Sequence, residues 1–278
     1  MDRLEALKII VGQASRGELI FPTNVAASLK LQHALDDPGC HLEAAAELVL
    51  AEPLIAARLV AIANSVAYTR FGGKVSNVRA AVSVLGFKTL RSLVAAIIVR
   101  QISGSISDPA LRTKADLLWQ HCASVAALAK VIARELTEVD PETALFAGIV
   151  HEISGFYLLS RAEEYPALVG GAADESSQED DLFLAHSVLQ VLKVPRAVTS
   201  AVESLYAGVR SSPPVSLGDV LGLANDLASV VSPLTGIDEE VSSRAAASRD
   251  LVVGSKALRM ILVECEGEIE SILEALLV

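Results

Sequence analysis

The sequence predicts an all-α protein, and three observations carry that expectation. Hydrophobic residues make up 52% of the 278 positions and aromatic residues only 4%, a balance that suits close-packed helices better than a sheet. Nearly every segment repeats its apolar residues at helical spacing. No alternating strand pattern, βαβ rhythm or internal repeat interrupts them.

The elements follow in order. Leu4, Leu7 and Val11 open an amphipathic helix that Gly17 ends. Pro22 suits the first turn of a second helix, which carries Val25, Leu29 and His33 and stops at Asp37-Pro38-Gly39. Residues 42–50 read as a short Ala-rich helix, and Pro53 opens another with Leu54, Ala57, Ala61 and Ile62. Asn64-Ser65 breaks the apolar pattern, and residues 71–74 read as a loop. Residues 78–85 and 88–102 are helices parted by Gly86. The Ser/Gly/Pro-rich stretch 103–109 is the best boundary, dividing an N-terminal bundle (1–107) from a second helical half (108–278).

A long helix is expected over 111–135. Asp140-Pro141 starts the next, a capping side chain followed by proline at the first helical position. That helix runs into FAGIVHEISGFYLLS, residues 146–160. The polar run ESSQEDD, residues 175–181, reads as a solvated loop. Helices follow at 181–192, at 196–206 after Val194-Pro195, and at 217–230, with a loop at 211–214. Leu258, Ile261, Leu262, Cys265, Ile269, Ile272, Leu273 and Leu276 share one stripe of a long last helix, which closes the core or meets a second copy.

Charge narrows the function classes. The chain carries a net −11, yet residues 53–107 hold Arg58, Arg70, Lys74, Arg79, Lys88, Arg91 and Arg100 and no acid. Such a stretch could bind nucleic acid. Its sparseness, its few aromatics and the acidic whole favour a face that docks partly on the acidic residues 111–278, which carry 12 basic and 25 acidic side chains, so no nucleic-acid partner is expected. Continuous apolar runs such as 93–99 fall far short of the ~20 residues that cross a bilayer. The N-terminus places Asp2 and Glu5 where a secretory signal needs an apolar core. Cys40, Cys122 and Cys265 are widely spaced without a CxxC pattern, which disfavours disulfides and zinc ribbons and fits a reducing cytoplasm.

Few motifs carry chemistry. Gly72-Gly73-Lys74 lacks the remaining glycine and hydroxyl positions of a phosphate loop. Ser154-Gly155 lacks the strand–turn–helix context of a nucleophile elbow. His121, with Leu117, Leu118, Val125 and Leu128 at helical spacing, faces inward. His151 shares its stripe with Ala147, Gly148, Ser154 and Gly155, whose small size leaves room for a ligand or a close helix. His186 lies beside Leu182 and Leu189, and Asn225-Asp226 interrupts an apolar helix. Glu52-Pro53, Asn64-Ser65 and Tyr68 form a further group. Asn64 and Ser65 read first as caps at a helix–loop junction, and second, with Tyr68, as a partner-binding surface.

These blocks resemble the HDOD family, the HD-related output domain of bacterial signalling proteins. The resemblance runs over roughly residues 14–210, through FPTNVAASLKL, AELVLAEPLIAARLVAIANSVAY, VSNVRAAVSVLGFKTLRSLV, LWQHCASVAALAKVIA and FAGIVHEISGFYLL. It implies an N-terminal helical bundle packed on a degenerate HD-like bundle. HD phosphohydrolases hold metal with a His, an adjacent His-Asp pair and a distant Asp. By that resemblance His121 matches the first His, His151 the paired His, Glu152 stands for the paired Asp and Asn225 for the distant Asp. His186 matches a further His of the cyclic-dinucleotide-cleaving branch, whose following His-His pair is Leu205-Tyr206 here.

Asn225 removes one anionic ligand, and the extra methylene of Glu152 displaces its oxygens by about one bond length. The expectation is therefore a cytoplasmic, non-catalytic signalling module without a cofactor. It would bind a protein partner or a small nucleotide ligand, and deliver its output through that partner or by oligomerising. The alternative is a divalent-metal phosphohydrolase of nucleotides or cyclic dinucleotides, with His121, His151 and Glu152 as ligands.

Overall fold

The computed structural model describes residues 1–21, 25–35, 37–51, 53–64, 68, 75–169, 178–208, 210–234, 252–253 and 256–277. Ser65, the Gly72-Gly73-Lys74 turn and the start of the helix expected at Pro22 lie outside them. Helix α1 (Arg3–Ser15) opens with a reciprocal cap, in which Asp2 accepts the Glu5 amide and Glu5 accepts the Asp2 amide. Helices α2 (Val25–Leu35), α3 (Leu42–Leu50) and α4 (Pro53–Ala63) follow. All three pack on α5 (Val78–Gly104).

Gly86 breaks α5 where the sequence places the break. Its φ of 74° and ψ of 171° lie in a region that residues with a Cβ avoid. Residues 93–99 of α5 are buried on every face, because neighbouring helices surround this turn. The basic side chains of this region dock on the second half as expected at two points. Lys88 pairs with Asp140 at 3.1 Å and Arg100 with Asp116 at 3.1 Å.

The second half is built around α6 (Pro109–Leu136), which starts at an Asp108 cap. Every residue from 121 to 133 on it is buried. Its Ala-rich composition allows this, since small side chains let neighbours approach from all sides. Helix α7 (Pro141–Val150) begins at the predicted Asp140-Pro141, with Asp140 accepting the Thr143 amide at 3.0 Å. Helix α8 (Ile153–Arg161) follows directly, then a short 3₁₀ turn (Pro166–Val169), α9 (Gln178–Val191), α10 (Arg196–Ala207) and α11 (Leu217–Leu227). Helix α1 crosses back to lie on α9 and the 3₁₀ turn, and Arg3 reaches both carboxylate oxygens of Asp181 at 3.0 Å.

Two windows, Val78–Gly104 and Pro141–Arg161, are long and apolar enough to cross a membrane, yet 67% and 83% of them is buried inside the fold. Their hydropathy follows from central positions in the helix packing.

Three expectations need correction. Residues 178–181 are not loop but the first turn of α9, where three acids suit the helix N-terminus. The helix expected over 217–230 stops at Leu227, because Ala228 turns extended and side chains of α6 take over the hydrogen bonding of Ser229 and Val230. The closing helix is two helices, α12 (Leu258–Glu264) and α13 (Glu266–Leu277), parted at Cys265. This turn aims Glu268 at Arg134 on α6, while Trp119 Nε1 donates to the Leu276 carbonyl at 3.2 Å. The stripe therefore closes the core by clasping α6 at both ends. One short antiparallel pair, β1 (Val252–Val253) with β2 (Lys256–Ala257), accompanies the helices among the described residues.

Candidate functional site

Helices α6 and α7 run antiparallel at unusually close range. A Cβ at Gly148 would lie 2.4 Å from the Ala126 Cα and 2.6 Å from its nitrogen. Of the two uses foreseen for the small residues around His151, Gly148 therefore serves close helix packing. This approach brings His121 of α6 to His151 at the end of α7, with Nε2 atoms 3.2 Å apart and ring centroids 5.2 Å apart.

The outer nitrogens fix the tautomers. His121 Nδ1 lies 2.7 Å from the Val230 carbonyl, and His151 Nδ1 lies 2.8 Å from the Gly148 carbonyl. A carbonyl only accepts, so each Nδ1 must carry the hydrogen. Two neutral rings would then face each other with bare Nε2 lone pairs. That arrangement is repulsive unless a proton or a cation lies between them.

Glu152 completes the cluster. Ligand atoms of His121, His151 and Glu152 all lie within 4.8 Å of one another, and among the described residues they are the group able to hold a metal ion. Burial pushes the Glu152 carboxyl up, against the opposing pull of His121 and of a hydrogen bond from Ser232. Burial and the closeness of His121 push His151 down to about 3. Without an ion, one proton on the facing nitrogens, balanced by Glu152, satisfies the cluster.

The donor set also fits a divalent ion in part. Two nitrogens at ~2.0–2.1 Å from one tetrahedral ion lie about 3.3 Å apart, close to the 3.2 Å found here. Histidines held through their other N–H by carbonyls are typical of ligands oriented for metal.

Helix α11 supplies the fourth member. Its start is fixed by Asp219, whose carboxylate takes the Ser211 and Ser216 amides at 2.6 and 2.9 Å. Burial would raise that carboxyl, but these bonds outweigh it and hold it low. The helix so placed brings the Asn225 side chain beside His151, where it favours the protonated ring. Asp226 points elsewhere and is bound by Arg210, which lies flat over Gly222 and also donates to the Gly222 carbonyl at 3.0 Å. A Cβ at Gly222 would meet Arg210 Nε at 2.8 Å, so this glycine makes room for the neutralising cation.

Residues 228–234 then cross the cluster as a strap. The Val230 carbonyl receives His121, the Ser229 amide donates to Ser124 Oγ at 3.3 Å, and Ser232 bonds Glu152. The Leu234 side chain fills the space beside Gly155, where an added Cβ would meet it at 2.5 Å. Tyr206 also belongs to this neighbourhood. Its hydroxyl lies 3.1 Å from Ser154 Oγ, and burial with the Glu152 charge drives its ionisation far up, so it stays a neutral phenol. Cys122, beside Glu152, is likewise held as a thiol by burial and that charge.

The other candidates lie elsewhere. His186 is not an inward member of the cluster. Its side chain is 42% exposed, with Nδ1 2.8 Å from Glu203 and Nε2 2.8 Å from the Gln190 amide. The buried stripe of α9 runs through Leu184, Ala185, Val188 and Leu189 and leaves His186 at its edge. Asn64 acts as the junction cap, donating to Val60 and Val75 carbonyls at 2.9 and 2.8 Å and accepting the Val75 amide at 2.8 Å. Tyr68 turns inward to Lys130 and Glu142. Asn64 and Tyr68 are both half-buried, and each spends its polar atoms on partners within the fold.

A family model for the HDOD domain matches residues 21–198. The chain belongs to the HDOD family. Three solved structures place this HDOD chain among similar folds. A candidate metal-dependent phosphohydrolase from Shewanella amazonensis SB2B is 19% identical, with 98% of each chain covered and a TM-score of 0.72. An HDOD domain protein of unknown function from Geobacter sulfurreducens is 17% identical, covering 98% of this chain and 97% of that one at a TM-score of 0.62. A candidate signal transduction protein from Marinobacter aquaeolei VT8 is 18% identical, covering 99% of this chain and 66% of that one at 0.61. No curated protein matches the sequence. The matched residues run from just before α2 to the first turn of α10 and include both His121 and His151.

Proposed function

We propose that this HDOD chain is a non-catalytic regulatory module that binds a signalling protein or a small nucleotide ligand in the cytoplasm and passes that state through helix packing. The division at residue 107, with α1 folded back across it, belongs to the same proposal. The observation that carries it is the shortage of carboxylates. Among the described residues Glu152 is the carboxylate clustered with the two histidines, and Ser232 holds it; Asp181, whose charge reaches Glu152, is paired with Arg3. Asn225 offers a neutral amide to His151, and Arg210 has taken Asp226. A hard divalent cation that activates water needs more anionic oxygen than this. A cluster satisfied by its own hydrogen bonds can instead specify how α6, α7 and α11 pack.

The converging Nε2 atoms favour one second reading, a divalent-metal phosphohydrolase of nucleotides or cyclic dinucleotides with His121, His151 and Glu152 as ligands. Elemental analysis of the purified chain and turnover assays on nucleotide phosphates and cyclic dinucleotides separate the two. The regulatory reading expects no turnover. Stoichiometric metal with turnover that is lost in His151→Ala would establish the hydrolase. No gel shift with duplex or single-stranded probes is expected at low salt.

A further inference from the structure

A second buried polar cluster lies on the same helix pair, away from the histidines. Lys130 of α6 has a side chain only 8% exposed. Its Nζ donates to Glu142 Oε1 at 2.6 Å and to the Tyr68 hydroxyl at 2.8 Å, and lies 4.2 Å from the Tyr68 ring centroid. The Tyr68 hydroxyl in turn donates to Glu142 Oε2 at 3.3 Å, and Thr89 Oγ1 donates to the same oxygen at 2.8 Å. Burial would depress the Lys130 ammonium, but Tyr68 and Glu142 together hold it above its ordinary value. Burial and the Glu142 charge push the Tyr68 hydroxyl up, which keeps its proton available to donate. Each member thus completes another, and removing one leaves a buried charge short of a partner.

The four side chains come from α5, α6, α7 and the α4–α5 connection. That connection is closed at its base by Asn64 and Val75, which exchange two hydrogen bonds of 2.8 Å. Tyr68 sits between these ends and is its described anchor on α6 and α7. The spacing along the helices is informative. Lys130 lies nine residues beyond His121 on α6, and Glu142 nine residues before His151 on α7. The two cross-links are therefore about 13–14 Å apart along one antiparallel pair, with the Gly148–Ala126 contact between them. Helices packed backbone to backbone slide or separate as units, because interiors this dense do not deform continuously.

We propose that Tyr68 is a latch. By bonding both Lys130 and Glu142 it holds α6 and α7 in register, and so is coupled energetically to the His121–His151 contact. The coupling is independent of whether the cluster carries a proton or an ion, and it stands apart from either functional reading.

The test is nuclear magnetic resonance of the full chain with ¹⁵N-labelled histidine, in wild type, Tyr68→Phe and Thr89→Val. Each variant removes one hydroxyl of the latch and touches neither ring. The expected result is that the ring nitrogen signals of His121 and His151 shift in both variants, while those of His33, His41 and His186 stay in place. Amide exchange at the facing ends of α6 and α7, residues 126–133 and 142–148, should quicken by about tenfold or more in Tyr68→Phe. Lys88→Ala removes the exposed Lys88–Asp140 pair between α5 and the start of α7 and should leave all five histidines unchanged. Unmoved His121 and His151 signals in either folded latch variant overturn the proposal, as does an equal shift in Lys88→Ala. If Tyr68→Phe does not fold, Thr89→Val alone decides.

Discussion

Replacing Gly148 by alanine sets two known effects against each other, and the structure fixes which wins. In an exposed helix, alanine is more favourable than glycine by about 1 kcal/mol. Here the new Cβ would stand 2.4 Å from the Ala126 Cα, 2.6 Å from its nitrogen and 3.0 Å from its Cβ. Carbon atoms in contact prefer about 3.5–4.0 Å, so α6 and α7 must part by roughly 1 Å. The obstacle is backbone, which cannot rotate aside. Overpacking of this kind costs about 1–3 kcal/mol, at times more, and the upper end applies because two helices must move. The net expectation is a loss of about 2 kcal/mol, which lowers Tm by about 4–8 °C in a chain of this size. The same separation would break the 3.2 Å His121–His151 contact. Gly12→Ala is the internal control, because its Cβ would meet only Arg16 Nη1 at 3.5 Å; it should gain about 0.5–1 kcal/mol from helix propensity alone. Thermal and urea unfolding of both variants read these differences directly. A Gly148→Ala protein as stable as wild type would refute the close crossing on which the site geometry depends.

The remaining predictions concern single groups. Gly86→Ala meets no atom within 4 Å, so its whole effect is backbone strain at φ 74°, a loss of about 1–3 kcal/mol in unfolding assays. Trp119→Phe leaves the Leu276 carbonyl without its donor and opens space on α6; a loss of about 2 kcal/mol is expected, with faster amide exchange concentrated in α13. His151 titrates at about 3 in the folded chain against an ordinary 6.5. Between those values only the unfolded chain gains that proton, so stability falls as pH drops through this window, by at most about 1.4 kcal/mol per unit. Glu152 acts in the opposite sense, since its raised carboxyl stabilises the fold below the ordinary carboxylate range and loses that contribution as pH rises through its folded value. His151→Gln should flatten the acid limb of urea midpoints measured between about pH 4 and 7; an unchanged limb would show that His151 does not titrate as a buried neutral ring.

Features with a local physical signature were legible in the sequence. Asp140-Pro141 and Pro53 start helices because a cap and a proline act within one turn. Gly86 parts two helices because only glycine adopts its conformation readily. The stripe around His121 marked it as inward, and the small residues around His151 marked a face open to a ligand or a close helix; that α6 is that helix emerged only from the fold. Features that depend on distant backbone were not legible. The strap carries no side-chain pattern of its own, since Val230 acts through its carbonyl and replaces a helical turn that composition favours. Lys130 sits among alanines and aliphatic residues, where a lone lysine reads as solvent-facing; only Tyr68 and Glu142, both distant in sequence, make its burial affordable. His186 misled because Leu182 and Leu189 flank it at helical spacing, yet the buried face of α9 lies to one side. Tyr206 stood out only as a departure from the resembled pattern, and its contact with Ser154 depends on how α10 meets α8.

The central claim is that the His121–His151–Glu152 cluster lacks one carboxylate for metal chemistry and is satisfied internally. Asn225→Asp restores a carboxylate at the side chain that reaches His151. Calorimetric titration of Mn²⁺ into wild type and this variant, followed by turnover assays on nucleotide phosphates and cyclic dinucleotides, tests the claim most directly. The account predicts weak or no binding to wild type and at least about tenfold tighter binding to Asn225→Asp, because one anionic ligand has been returned. Stoichiometric Mn²⁺ on wild type, with turnover abolished by His151→Ala, would contradict it.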